Sequence, residues 1–139
     1  MQIKRENLND LLQEIAREDV QHLADRISRR AVIHILQHST QHTLLVPVFD
    51  PVSQSRFYSG EALVTSAVVQ VNGCNGWAMV MDDQPELALA IAVLDGAWGA
   101  VLFREDIARL VQQGIRSRTL TRQRQQNEVA ATEVNFDLL

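Results

Sequence analysis

The sequence predicts an α+β domain, with an antiparallel sheet of about four to five strands packed against two C-terminal helices and an N-terminal helical segment ahead of them. Three observations lead there. Apolar residues recur at helical spacing near the N-terminus and again from Pro85 onward. The middle of the chain holds short β-branched runs punctuated by Asn, Gly and Pro. The chain has 139 residues and neither an internal repeat nor a low-complexity linker, so residues 1–139 read as a single domain. A domain of that size buries roughly two-thirds of the surface its unfolded chain exposes.

Leu8, Leu11, Leu12, Ile15, Val20, Leu23 and Ile27 fall three to five positions apart, on one side of a helix whose other side is charged. If Asp19 caps a second segment, with Glu18 and Asp19 at its positive end and Arg26, Arg29 and Arg30 at its negative end, the stretch is two short helices rather than one.

Ala31–Leu36 and Thr43–Phe49 are short and β-branched, and read as two strands of a hairpin with Gln37–His42 as the turn. Pro47 cannot donate to a ladder, so its strand needs a free edge or a bulge. Asp50-Pro51 marks another turn. In Leu63–Val71 the residues Leu63, Thr65, Ala67, Val69 and Val71 share one face, and Gly60 just before them signals a bulge or a close backbone approach. Asn72-Gly73 and Asn75-Gly76 bracket Cys74 as tight-turn chemistry, because Asn and Gly accept positive φ. Trp77–Met81 returns as a strand.

Asp82 and Asp83 ahead of Pro85 read as a helix start, with acidic caps and a proline whose missing N–H costs nothing in the first turn. The helix from Pro85 to about Ala100 has almost no polar face, so it is buried on several sides, with Asp95 its exception. A second helix starts at Arg104-Glu105-Asp106 and places Ile107, Leu110, Val111, Gly114 and Ile115 on one side before running on through its arginines. The tail alternates Val134, Phe136 and Leu138 against Glu133, Asn135 and Asp137, which reads as a strand completing the sheet or docking on another chain.

Composition excludes several functions. With 13 Lys and Arg against 17 Asp and Glu, the net charge of -4 makes the whole molecule a poor electrostatic partner for nucleic acid or an acidic membrane leaflet. A single cysteine, Cys74, excludes an intramolecular disulfide and a cysteine-based zinc finger, and fits a reducing setting. The charged N-terminus has no apolar leader and no run approaches the roughly 20 residues of a membrane span, so the expected location is the cytoplasm.

The chemistry on offer is sparse. His34, His38 and His42 are four apart, but in a strand region and without an acid or cysteine to finish a metal shell, so no metal site is expected. Asp82 and Asp83 are explained by helix capping. Asp95, a carboxylate among apolar side chains, must find a donor or shift its pKa, and a structural hydrogen bond is the expectation. Gly73–Gly76 lacks the Lys-Ser/Thr of a phosphate loop and joins strand to strand. Residues 104–126 hold six arginines and two acids. Arg116, Arg118 and Arg122 among them are candidates for contact with a phosphate or with an acidic partner subunit.

Three segments, in order, resemble one family. They are Phe57–Thr65 with its Gly60-Glu61-x-Leu63-x-Thr65 pattern, the block from Gly76 through Pro85 to Asp95, and the terminal Thr132-x-Val134-x-Phe136. Together they are similar to the PhnG family of phosphonate metabolism proteins, and the similarity covers most of the chain from about Leu8. The resemblance implies a small subunit of the carbon–phosphorus lyase core complex, with PhnI-like, PhnH-like and PhnJ-like subunits as partners. In that system the G, H, I and L proteins are linked to formation of ribose 1-phosphonate 5-triphosphate from ATP and a phosphonate, with adenine displaced, before the radical-dependent J subunit cleaves the carbon–phosphorus bond.

The resemblance implies an accessory part of a ribose 1-methylphosphonate 5-triphosphate synthase, with ATP a substrate of the complex and no cofactor or catalytic residue expected on this chain. Displacement at an anomeric carbon requires stabilisation of an oxocarbenium-like centre and a triphosphate cradle, and neither constellation is visible in the sequence. Gly60, Glu61, Thr65, Gly76, Asp95, Thr132, Val134 and Phe136 are the motif positions, expected to serve the fold or a partner contact. Self-association is a further expectation; nucleic acid and membrane are not expected partners. The rival reading is a stand-alone domain that binds a phosphorylated small molecule through the Arg-rich helix.

Overall fold

The computed structural model describes residues 3–50 and 55–137, with side chains placed for 3–45 and 61–128. A 3-10 turn (Arg5–Asn7) leads into α1 (Leu8–Gln13) and α2 (Arg17–Arg30). Three strands follow, β1 (Ile33–Asp50), β2 (Ser55–Val71) and β3 (Cys74–Met81), and then α3 (Pro85–Gly99) and α4 (Arg104–Asp137). The strands form one antiparallel sheet in the order β1-β2-β3, so the architecture is α+β, as the sequence predicts.

Alternation along the strands decides the layers. Thr65, Ala67, Val69 and Val71 of β2 and Ala78 and Val80 of β3 are buried on one face of the sheet, and α3 lies on that face. The far side of α3 is covered by α1, α2 and the start of α4. Sandwiched in this way, α3 buries Leu87, Ile91, Leu94 and a series of alanines, which accounts for its missing polar face. Pro85 opens it at a position where no N–H is needed. The closest approach is at Gly76, where an added Cβ would sit 2.2 Å from the Ala92 carbonyl oxygen and 2.3 Å from the Gly96 nitrogen. Only glycine fits between β3 and α3 there.

Several boundaries differ from the sequence reading. Ala31–Leu36 and Thr43–Phe49 are not a hairpin but parts of one 18-residue strand, paired along its length with β2. Gln37–His42 contains no Gly, Asn or Pro to favour a reversal, and the chain absorbs it as register shifts between Ile35 and Gln37 and between Gln37 and Thr40. Pro47 lies on an edge strand and at a third shift, between the Val46–Gly60 and Pro47–Tyr58 pairs, which satisfies both conditions the sequence placed on it. The tail residues Val134 and Phe136 belong to α4 rather than to a strand. Nothing between Ile115 and Asp137 is a Gly or Pro that would stop a helix already propagating. These two changes leave three strands among the described residues.

Only Asn72-Gly73 forms the tight turn, with φ of 48° and 84°; Asn75 and Gly76 lie inside β3. The N-terminal stretch is two helices, but the second begins after Ala16, and Asp19 sits in its first turn without capping it. Gln84, not Asp82 or Asp83, occupies the cap position of α3, and Asp82 instead adopts a left-handed φ of 68°. Leu63, expected on the inward face, is 41% exposed because α3 does not reach that end of β2. β1 ends at Asp50, and the turn expected at Pro51 lies outside the described residues. Helix α4 packs on α1, α2 and α3 rather than on the sheet, whose inner face α3 already fills.

The α3–α4 connection carries visible strain. The Leu102 N–H donates to the Ala97 carbonyl at 2.8 Å and the Val101 N–H to the Trp98 carbonyl at 3.2 Å, which is the Schellman pattern of a helix C-terminus. That pattern requires a left-handed residue, normally glycine, and here Val101 takes it with φ 60° and two-thirds of its surface exposed. Left-handed backbone costs a non-glycine residue about 1–2 kcal/mol. Glycine's greater chain entropy offsets part of the gain, so Val101→Gly is expected to stabilise the fold by about 1 kcal/mol and raise the thermal midpoint by a few degrees. A thermal melt of the variant beside the parent measures it; a lowered midpoint contradicts the strain.

Candidate functional site

The outer edge of β3 has no fourth strand, yet most of its outward backbone groups are met by side chains. Asn75, Trp77, Met79 and Met81 point N–H and carbonyl groups away from β2, and side chains meet them. The Asn9 amide nitrogen donates to the Met79 carbonyl at 2.8 Å while its oxygen accepts the Met79 N–H at 3.0 Å. Gln13 donates to the Met79 carbonyl at 3.3 Å and accepts the Met81 N–H at 3.4 Å. The Gln84 amide donates to the Met81 carbonyl at 2.8 Å. Arg5 donates to the Asn75 carbonyl, and the Trp77 N–H donates to Asp95 Oδ2 at 3.0 Å.

Geometry makes the match. Arg5, Asn9 and Gln13 are four apart, which on a helix is about 6 Å of rise, and alternate residues of a strand are about 6.7 Å apart. Asn9 and Gln13 are therefore in step with Met79 and Met81, while the long Arg5 side chain reaches back to Asn75 and Asp95 of α3 takes the intervening Trp77 N–H.

At one end of this ladder Asp95, reaching out of α3, is buried to 7% residual exposure. Its Oδ1 accepts from Arg5 Nε at 2.9 Å, and its Oδ2 also accepts from Arg5 Nη2, at 3.3 Å. The hydrogen bonds to Asp95 raise the Arg5 guanidinium above its ordinary pKa, opposed by partial burial and helped by the neighbouring Cys74. A raised cationic pKa gives stabilisation that is complete below the unfolded value and lost only at still higher pH, so on its alkaline side the pair holds throughout the neutral range. Arg5, Glu6, Asn9, Asn75, Trp77 and Asp95 together line an open cleft.

The chemistry available in this cleft is structural. Both oxygens of Asp95 are engaged, one by the guanidinium alone and one by the guanidinium and a strand N–H, so the carboxylate holds the N-terminal segment, the sheet and α3 together. This is the donor that the sequence required for it.

The remaining motif positions are dispersed. The Thr65 hydroxyl, buried in β2, donates to the Asp82 carbonyl at 2.6 Å and accepts the Gln84 N–H at 3.1 Å, tying the sheet to the entry of α3. Gly76 is the contact point with α3, and Glu61 is exposed on β2 opposite Leu45. Gly60 lies on β2 beside the register shift, and Thr132, Val134 and Phe136 lie on the last turns of α4. His34, His38 and His42 extend along β1, where residues four apart are about 13 Å from one another. Among the described residues no group of three His, Cys, Asp or Glu is placed to hold a metal.

The arginines of α4 also diverge. Arg118 pairs with Glu14 of the N-terminal segment at 3.1 Å. Arg116 is two positions away, about 200° around the helix, so the two point to opposite sides, and Arg122 lies one turn beyond Arg118. The three do not converge on one anion.

The sequence reading missed the Arg5–Asn9–Gln13 ladder. Its signal, polar residues at a spacing of four beside the apolar stripe, was present but resembles any solvated helix face.

Removing the Asp95 carboxylate leaves the Trp77 N–H unpaired, while Arg5, with its side chain 41% exposed, regains water. Asp95→Ala is therefore expected to cost about 2–3 kcal/mol, and Asp95→Asn, which keeps an acceptor for Trp77, about half of that. Urea unfolding of the two variants tests the ordering; equal losses show that the charge, rather than the strand hydrogen bond, holds the site.

No curated protein matches the sequence. A family model, phosphonate metabolism protein PhnG, matches residues 3–139, nearly the whole chain. The chain thus belongs to the PhnG family of phosphonate metabolism proteins.

Proposed function

We propose that this protein is an accessory, non-catalytic subunit of the carbon–phosphorus lyase core complex in the cytoplasm, supporting formation of ribose 1-phosphonate 5-triphosphate from ATP and a phosphonate on companion PhnI-like, PhnH-like and PhnJ-like subunits. Family membership supplies the pathway. The observation that carries the subunit reading is a pair of elements extending beyond the core.

The first is α4. It has 34 residues, about 50 Å of helix, but its buried positions end at Gly114. From Arg116 to Glu128 the side chains are exposed apart from the half-buried Arg118. The second is the β1–β2 ribbon. β3 pairs with β2 only from Val64 to Val71, so Ser55–Ala62 have strand pairing with β1 alone. A two-stranded ribbon is marginal by itself in water, and a long helix without an apolar contact is little better. Both are natural grips for another protein.

Chemistry favours the same division of labour. The buried carboxylate is occupied in holding the fold, and the α4 arginines are spread around their helix, so charge stabilisation of a sugar-phosphate reaction is assigned to the companions. Among the described residues no helix is long and apolar enough to cross a membrane.

Co-expression with the companion subunits is expected to yield a complex containing this chain, and deleting Val134–Leu139 is expected to weaken its retention. The purified chain alone is expected to release no adenine from ATP and methylphosphonate. Turnover by the lone chain, abolished by changing one of its own side chains, overturns the accessory role; unchanged assembly after the deletion removes the tail from the contact.

A further inference from the structure

We infer that the outer face of the sheet, opposite α3, docks face-on against an uncharged, apolar surface of a companion protein with a basic rim. The inference rests on the subunit reading above and assigns its central contact. Across this face the registered pairs Val68–Trp77, Ser66–Met79 and Val64–Met81 run side by side. The β1 residues paired to them are the uncharged polar Gln37, Thr40 and His42, with Leu44 and Ala62 beyond, and Val64 is packed under its neighbours at 2% exposure, so the accessible apolar groups are Trp77, Met81 and Leu44 in an uncharged polar surround. None of these positions is Asp, Glu, Lys or Arg, in a chain of which 22% is charged. Trp77 is 54% exposed, Met81 53% and Leu44 40%, and no helix layer covers them. Charge depletion with Trp and Met enrichment is the composition of an interface centre.

The mode of contact follows from the edge. With Arg5, Asn9, Gln13, Gln84 and Asp95 occupying six outward backbone groups of β3, an added strand would have to displace them, so a partner approaches the face instead.

Charge and area choose the occupant. Glu6 lines the cleft beside Trp77 together with Arg5, whose charge Asp95 pairs, and Asp82 and Asp83 follow Met81; Arg17, bonded to Gln84 at 2.5 Å, is a cation at that end, so the unpaired border charge is acidic. The acidic border disfavours an anionic lipid surface or nucleic acid and would set like charges together in a self-pair, whereas it complements a basic rim. Three rows across three strands and a fourth across two give a footprint of roughly 350 Å². A stable interface needs about 800 Å² per partner, so the occupant also engages an adjoining element, and the β1–β2 ribbon continues directly from the face. A companion chain gripping both satisfies these conditions; a symmetric sheet-to-sheet pair does not.

The test uses the full chain co-expressed with the companion subunits. Trp77→Lys in the middle of β3 and Met81→Lys at its end, both at exposed positions, are expected to keep the thermal midpoint within about 3 °C of the parent. Each is expected to reduce the recovered complex roughly tenfold or more. In a Trp98→Phe background, Trp77 is the only indole, and its fluorescence is expected to be quenched by iodide in the free chain and protected in the complex. Recovery of both lysine variants at the parent level overturns the docking face while leaving the subunit reading intact. Failure of the parent chain to assemble overturns both. A dimer of the isolated chain with Trp77 protected assigns the face to a second copy and overturns the companion.

Discussion

The constraint on which this structure depends is the satisfaction of one strand's open edge. A three-stranded sheet with α3 on one face leaves β3 with a row of outward N–H and carbonyl groups, and an uncovered row of that kind is both costly when buried and prone to recruit foreign strands. The chain answers with side chains. Asn9 meets Met79 through both ends of its amide, Gln13 reaches Met79 and Met81, and the carboxylate of Asp95 takes the Trp77 N–H. The near coincidence of one helical turn with two strand residues lets a short helical segment do the work of a fourth strand.

This solution fixes the rest of the core. Asp95 belongs to α3, so its bonds to Arg5 and Trp77 lock the axial position of α3 relative to the sheet and the N-terminal segment at once. Gly76 and Gly96 then set the depth of approach: a Cβ on Gly76 would collide with the backbone of α3, and one on Gly96 would come within 2.7 Å of the Val71 side chain. Polar bonds determine register and small residues determine distance. The apolar burial of Val69, Val71, Ala78, Val80, Ile91 and Leu94 supplies the driving force but would tolerate many alignments.

What could be read from sequence divides along the same line. The helix from Pro85 was legible because burial on both sides removes polar residues, and Asp95 stood out as the one position that required a partner. The partner itself was not legible, since Arg5 lies 90 positions away and nothing local marks it. Strand existence was legible in the β-branched runs, but strand continuity was not: β1 runs through Gln37–His42 because β2 offers a long template, a tertiary cause that no local propensity encodes. The tail shows the converse. Alternation over a few residues from Glu133 signalled a strand, and a helix propagating from Arg104 without a breaker took precedence. Cys74 and the following Asn75-Gly76 had turn chemistry, yet Gly76 is used for close approach and not for positive φ.

The extended elements complete the physical argument. Within the core the main groups are balanced: apolar faces are covered, the buried carboxylate is paired, and most of the open edge is occupied. Outside it the balance fails. Leu44, Leu45, Trp77, Met81 and Leu120 remain between 40% and 62% exposed, on a sheet face, a ribbon and a helix that the chain itself does not cover. A sequence that occupies most of one edge of its sheet, while leaving the adjoining face uncharged with Trp77, Met81 and Leu44 exposed on it, separates two requirements: resistance to indiscriminate strand pairing and readiness for one shaped, face-on partner. The accessory role proposed for this chain depends on that separation, because specificity resides in the uncovered face and the occupied edge keeps other contacts away from it.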